Sequence, residues 1–268
     1  MEKKSTIISL IFIGVIVVAT ILTITMSGIT AKDYNYVQIE VNPRIELILD
    51  RKNKVISVSP LNDDARIVLA GLDIIDQNID DAIELYLDEC SKTGYIDMNG
   101  VDNATNITVV DGLTQALDVH VMQDVYNYFR KNEILSAITE NYEIREMFNK
   151  KRENNICCAN KFKLISTMHE KNPNLSISTL KNMSEVNLID LVAEEHKNNP
   201  YTPTEDEITR KQTLINNNKK KYLLHTNSIS NRSQKEFNKL FNEFQKYSTK
   251  EYHQDFSKQY TSWQNNKQ

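Results

Sequence analysis

The segment with chemical content is Val41-Asn42-Pro43-Arg44-Ile45-Glu46-Leu47. Asparagine ordinarily degrades when the next backbone nitrogen attacks its side-chain amide, and a proline nitrogen, which carries no hydrogen, closes that route. The reverse attack remains open. The Asn42 side-chain nitrogen can reach its own backbone carbonyl, release Pro43 as a new N-terminus and leave a succinimide, a step that a strained turn would accelerate. The plainer reading of the same pair is a turn between two strands, where the missing ladder bond of proline is tolerated. Asn42 and Pro43 are therefore the candidate catalytic pair.

Other chemistry is sparse. No HExxH, CxxC, Walker glycine loop or GxSxG occurs, and six glycines leave little for a phosphate cradle. His120, His169, His196, His225 and His253 are scattered and read as solvated or core residues rather than a metal centre. The net charge of -4 is mild and distributed, so no nucleic-acid partner is implied. Cys90, Cys157 and Cys158 do not make a disulfide scaffold, and Cys90 on an apolar helical face reads as a buried free thiol. No multiple-turnover enzyme, cofactor, metal or small-molecule substrate is expected.

The elements that must position the Asn-Pro pair follow from periodicity. Val37, Ile39 and Val41 alternate with Gln38 and Glu40 over residues 36–42, and Ile45, Leu47 and Leu49 repeat the pattern over residues 44–50, as half-buried strands do. After a polar turn at residues 51–54, residues 55–59 form a third strand with Val55 and Ser57 on one face and Ile56 and Val58 on the other. Ile79, Ala82, Ile83, Tyr86, Leu87 and Cys90 recur at spacings of three and four, giving a helix over residues 79–92 that Gly94 stops.

A strand over residues 106–110, a helix over residues 114–131, a strand over residues 134–139 and a helix over residues 142–153 complete an α+β sandwich of antiparallel sheet and helices to about residue 155. Val37, Ile39, Val41, Leu47, Ile83, Leu87, Leu117, Val121 and Val125 are expected to share its core. A helical portion, residues 156–196, carries Phe162, Ile165 and Met168 on one face, and Ser184 caps a helix with Leu188, Leu191 and Val192. Residues 197–233, rich in Asn, Lys and Thr, read as a polar linker. Residues 234–264 form an amphipathic helix striped by Phe237, Leu240, Phe241, Phe244 and Tyr247, with Phe256, Tyr260 and Trp263 beyond.

Ahead of all this, residues 5–31 contain no charge and are long enough to cross a bilayer core of roughly 30 Å as a helix. A cleaved signal peptide is the competing reading, but its apolar core is usually about 7–15 residues, shorter than this one. Lys3 and Lys4 precede the run, so residues 1–4 are a cytoplasmic stub and the remainder faces outward from a single-pass membrane protein.

The alternating string through Tyr36, Asn42, Pro43 and Asp50, then Val55 to Asn62, Ala82-Ile83 and Gly94-Tyr95-Ile96, resembles the middle, periplasmic domain of RsgI-type anti-sigma factors. Residues 161–165 and 172–184 resemble that domain's C-terminal helical part, so the resemblance spans residues 34–196. It implies an ectodomain beside a transmembrane helix, a cytoplasmic module that holds a sigma factor inactive, and cleavage at the Asn-Pro bond that prepares the anchor for an intramembrane protease. Asn42 and Pro43 match the scissile pair. Arg44 stands where the family usually has Ser, and Glu40 where it usually has Asp. With only Met1 to Lys4 before the apolar run, the expectation is an accessory or truncated component of anti-sigma-type transmembrane signalling, partnered by the membrane and a signalling protein or protease. The alternative is a surface-anchored structural or binding module that uses the helix at residues 234–264 as its interaction face. The topology has a direct check: protease added to intact cells should remove a C-terminal tag, and a protected tag overturns the outward orientation.

Overall fold

The computed structural model describes residues 34–111, 117–140, 159–229 and 231–246. The expected membrane anchor, the helix expected at residues 142–153, Cys157, Cys158 and residues 247–264 lie outside them. Among the described residues no helix is long and apolar enough to cross a membrane.

Strands β1 (Asn35–Glu40), β2 (Arg44–Leu49), β3 (Val55–Pro60), β4 (Asn103–Asp111) and β5 (Ser136–Glu140) form one sheet in the order β3-β2-β1-β4-β5. β1 is paired along its whole length on both sides, Val37 opposite Leu47 of β2 and Val109 of β4. The sheet is not wholly antiparallel as expected. β5 runs parallel to β4, because the helix between them carries the chain back across the sheet before β5 begins.

One face is the main core. Helices α1 (Asp63–Leu69), α2 (Ile79–Thr93) and α3 (Leu117–Lys131) bring apolar residues against Val37, Ile39, Ile45, Leu47, Ile107 and Val109. All nine residues expected to share a core do so. The six apolar positions of α2 are buried, and Gly94 ends the helix at φ 87°, a left-handed conformation that glycine adopts without a Cβ penalty. Cys90 is a buried free thiol, and burial raises its pKa. α1 was not foreseen, although Asn62 followed by Asp63 and Asp64 is a helix-start signal: the Asn62 side chain accepts the Ala65 N–H at 2.9 Å.

β3 departs from simple alternation. Leu49 pairs with Val55 but Ile48 pairs with Ser57, so Ile56 is an extra residue in a bulge. The bulge turns Val55 and Val58 both toward the main core and Ser57 to the other side, where the expected alternation separated the two valines.

The second face is also covered. Helices α4 (Ala159–Lys171), α5 (Ile177–Lys181) and α6 (Glu185–Asn198) pack Leu164, Ile165, Met168, Leu180, Leu188, Ile189 and Val192 over Tyr36, Ile48 and Val110. The Ser184 cap is present, its side chain accepting the Asn187 N–H at 3.2 Å. The strands expected to be half-buried are thus buried on both faces, and Gln38, Glu46 and Thr108 are 0% exposed.

Residues 197–233 are not a linker. They contain α7 (Glu205–Ser228), opened by a capping box between Thr204 and Glu207. α7 docks through polar groups, so apolar periodicity could not reveal it. Lys211 reaches Glu89 at 2.8 Å and the carbonyls of Val68 and Ala70, Asn218 donates to the Ser91 carbonyl at 2.8 Å, and Tyr222 donates to Asp88 at 2.7 Å. α8 (Asn231–Lys246) does follow the expected pattern, yet Phe237, Leu240, Phe241 and Phe244 lie in the main core. The described half of that aromatic stripe is consumed by packing and offers no interaction face.

Burying Leu87 at 0% exposure contributes about 1.5–3 kcal/mol. Leu87→Asp places an unpaired carboxylate there, which costs several kcal/mol against a total stability of about 5–15 kcal/mol, and is expected to unfold the domain. A cooperatively melting Leu87→Asp protein would contradict this core assignment.

Candidate functional site

The turn between β1 and β2 is three residues long, because Glu40 still pairs with Arg44. Asn42 is its exposed tip, at φ 56°, a left-handed conformation that a non-glycine residue adopts at a cost and asparagine tolerates best. Pro43 is buried. Its carbonyl accepts the Val41 N–H at 2.8 Å and the Tyr86 hydroxyl at 3.0 Å, while its nitrogen has no hydrogen to give back. Asn62 secures the turn from the other side: its oxygen accepts the Arg44 N–H at 3.2 Å and its nitrogen donates to Asn42 Oδ1 at 3.5 Å. Asn42 thus has its side-chain oxygen engaged and its peptide held between two anchored neighbours.

Sequence reasoning had identified Asn42 and Pro43 but missed Asn62 and Tyr86. Asn62 carried a signal as a helix cap; Tyr86 read only as a core position. Across the base of the turn Arg44 lies 3.6 Å from Glu40 and equally 3.6 Å from Glu170 of α4. Glu40 also pairs with Lys163 at 2.8 Å and accepts from Asn106 at 3.0 Å and Gln38 at 2.7 Å.

A buried polar cluster lies on the same strands. Glu46, 0% exposed, accepts from Lys171 of α4, from His196 of α6 at 2.7 Å and from the Tyr36 hydroxyl at 3.2 Å. Lys171 also binds Glu195 at 2.6 Å. Glu46, Glu195 and His196 are close enough to hold a metal ion, but the Lys171 ammonium already lies against both carboxylates and supplies the positive charge a cation would bring. His196 is a core residue, as scattered histidines were expected to be, with a charged partner that sequence could not show.

Burial opposes ionisation of Glu46, yet the His196 hydrogen bond and the Lys171 charge outweigh it and hold the carboxyl below the usual range. Burial, and then the Glu46 charge, push the Tyr36 hydroxyl well up, so it remains a neutral donor. A carboxyl whose folded pKa is depressed contributes stability that is complete above the unfolded value, about 4.3 for glutamate, and is lost as pH falls through the folded value. Acid unfolding monitored by circular dichroism should therefore show an acid limb that flattens in Glu46→Gln. The same variant should lose about 3–5 kcal/mol at neutral pH, as when one partner of a buried pair is removed. An unchanged profile would assign the acid limb elsewhere.

The family model of the anti-sigma factor RsgI-like central domain matches residues 34–167, half of the chain. The chain is similar to anti-sigma-I factor RsgI6 of Acetivibrio thermocellus, 26% identical over 201 residues that make up 69% of this chain and 26% of the relative. It is also similar to RsgI5 of that organism, 29% identical over 33% of this chain and 19% of the relative. RsgI9 is 33% identical over 27% of this chain and 10% of the relative. The chain thus spans about a quarter or less of the length of these relatives. The match covers the sheet, the turn and all but the last residues of the first helix of the second layer, and the chain belongs to the family of the anti-sigma factor RsgI-like central domain.

Proposed function

We propose that this chain is a component of anti-sigma-type transmembrane signalling, anchored by residues 5–31, whose outward-facing domain cuts itself at the Asn42–Pro43 bond. The observation that carries the reading is Asn42 itself: an asparagine held at φ 56° on an exposed tip, followed by a buried proline whose carbonyl is gripped by Tyr86 and Val41. In the proposed step Asn42 Nδ2 attacks the Asn42 carbonyl carbon. The bond to the Pro43 nitrogen breaks, that nitrogen takes up the proton, and Asn42 is left as a C-terminal succinimide. Anchoring of Pro43 keeps the leaving nitrogen in place, and the left-handed backbone at Asn42 stores strain beside the bond that breaks.

The fragments would not separate. All six residues of β1 pair with both β2 and β4, and Tyr36 and Glu40 are tied to groups of the other fragment. A cut anchor held by non-covalent contacts alone is a substrate for regulated release by a membrane protease, which is the partner this reading calls for. An intact downstream partner of the sigma-factor type belongs to the same proposal and rests on the family membership.

The purified full chain should give two bands on a denaturing gel, the larger beginning at Pro43, while eluting as one species in native buffer. Asn42→Ala should abolish the cut, and Asn42→Asp, which lacks the amide nitrogen, should cleave far more slowly. A single intact band after prolonged incubation would leave Asn-Pro as a bend between two strands.

A further inference from the structure

Ser57, His196 and Glu46 form a second constellation, on the face of the sheet away from the main core. Ser57 Oγ lies 2.9 Å from His196 Nδ1, and His196 Nε2 lies 2.7 Å from Glu46 Oε1. An ionised carboxylate accepts, so Nε2 carries the imidazole proton and Nδ1 presents its lone pair to the serine hydroxyl. A hydroxyl against a base, with the base oriented by a third group, is the arrangement that activates a nucleophile. Glu46 is fixed in turn by Lys171 and Tyr36, so the carboxylate that orients the imidazole is itself held in place.

The row opens on a cavity. Ser57 and His196 line a hollow of about 610 Å³, within the usual range of small-molecule sites, roughly 300–1,000 Å³. The hollow wraps the edge of β3, and its other walls are mostly apolar, among them Val58, Leu69, Leu72, Ile75 and Tyr201, with Lys197 as the charged residue of the lining. β3 is an edge strand, so no further strand of the sheet covers Ser57, which is only half-buried although His196 and Glu46 are buried. The bulge at Ile56 is what aims Ser57 at His196.

We propose that Ser57 is an acyl-accepting nucleophile for small apolar esters bound in this cavity. Ser57 Oγ attacks the ester carbonyl while its proton passes to His196 Nδ1. The carbonyl carbon's bond to the alcohol oxygen then breaks, and the alcohol leaves with the proton from His196. Water attacks the acyl-serine, His196 takes the water's proton and returns it to Ser57 Oγ, and the acid departs. None of these steps uses Asn42, so the proposal stands or falls apart from self-cleavage.

The test is labelling of the full chain, in detergent and in an Asn42→Ala background, with a short-chain alkyl fluorophosphonate, followed by mass spectrometry of the peptide that contains Ser57. Native protein should carry the adduct on Ser57, and Ser57→Ala should not. His196→Gln should slow labelling roughly 100-fold or more, the usual contribution of a positioned base. Leu72→Trp, which adds bulk to the cavity wall at a residue outside the row, should slow hydrolysis of p-nitrophenyl hexanoate about tenfold more than that of the acetate. Ser57 that labels no faster in the native chain than in the same chain unfolded in urea overturns the proposal, as does an ester selectivity that Leu72→Trp leaves unchanged.

Discussion

A carboxylate with no access to water governs the far side of this sheet. Glu46 is wholly buried, and a lone charge in that position would cost far more than any single contact could return. Its partners come from three elements: Tyr36 from the neighbouring strand, Lys171 from the end of α4 and His196 from the end of α6. Each helix must therefore arrive with one particular residue over one particular oxygen. Apolar contacts alone, such as Leu164 or Leu188 against Tyr36 and Ile48, would tolerate sliding; the ion pair does not. The second layer is held in register by charge and in place by hydrophobic burial.

The same arrangement explains what could and could not be read from sequence. Val37, Ile39, Leu47, Ile83, Leu87 and Val121 were legible because the main core uses the periods of strand and helix directly. Gln38, Glu40 and Glu46 alternate with them and look like a wetted face, since polar residues on alternate positions are the usual sign of solvent. Nothing local says that a lysine 125 residues later will come to rest on Glu46. α7 failed for a related reason: its anchors are Lys211, Asn218 and Tyr222, residues that periodicity scores as surface. The β3 bulge is likewise invisible to a pattern that assumes strict alternation.

The candidate site shows the opposite balance. Asn42 and Pro43 announced themselves by chemical type, and the family resemblance placed Asn62 within its motif, yet the resemblance could not say what Asn62 does. In three dimensions it joins helix capping to the turn: one side chain touches Ala65, Arg44 and Asn42. Glu40 and Arg44 close the same turn as an ion pair across the last register of β1 and β2.

The position of β1 in the sheet has a mechanical meaning. The chain enters the described domain at Tyr34 and runs directly into the strand that is bonded on both sides, Asn35 to Leu49 and to Asp111 at one end, Glu40 to Arg44 and to Asn106 at the other. Tension arriving along that strand loads both ladders in shear, so their hydrogen bonds resist together instead of peeling apart one after another. While the turn at Asn42 is continuous, β2 shares that load through the covalent chain. With the turn open, the two ladders and the side-chain ties of Tyr36 and Glu40 would bear it alone, and the domain would act as a clutch with a threshold force for slipping.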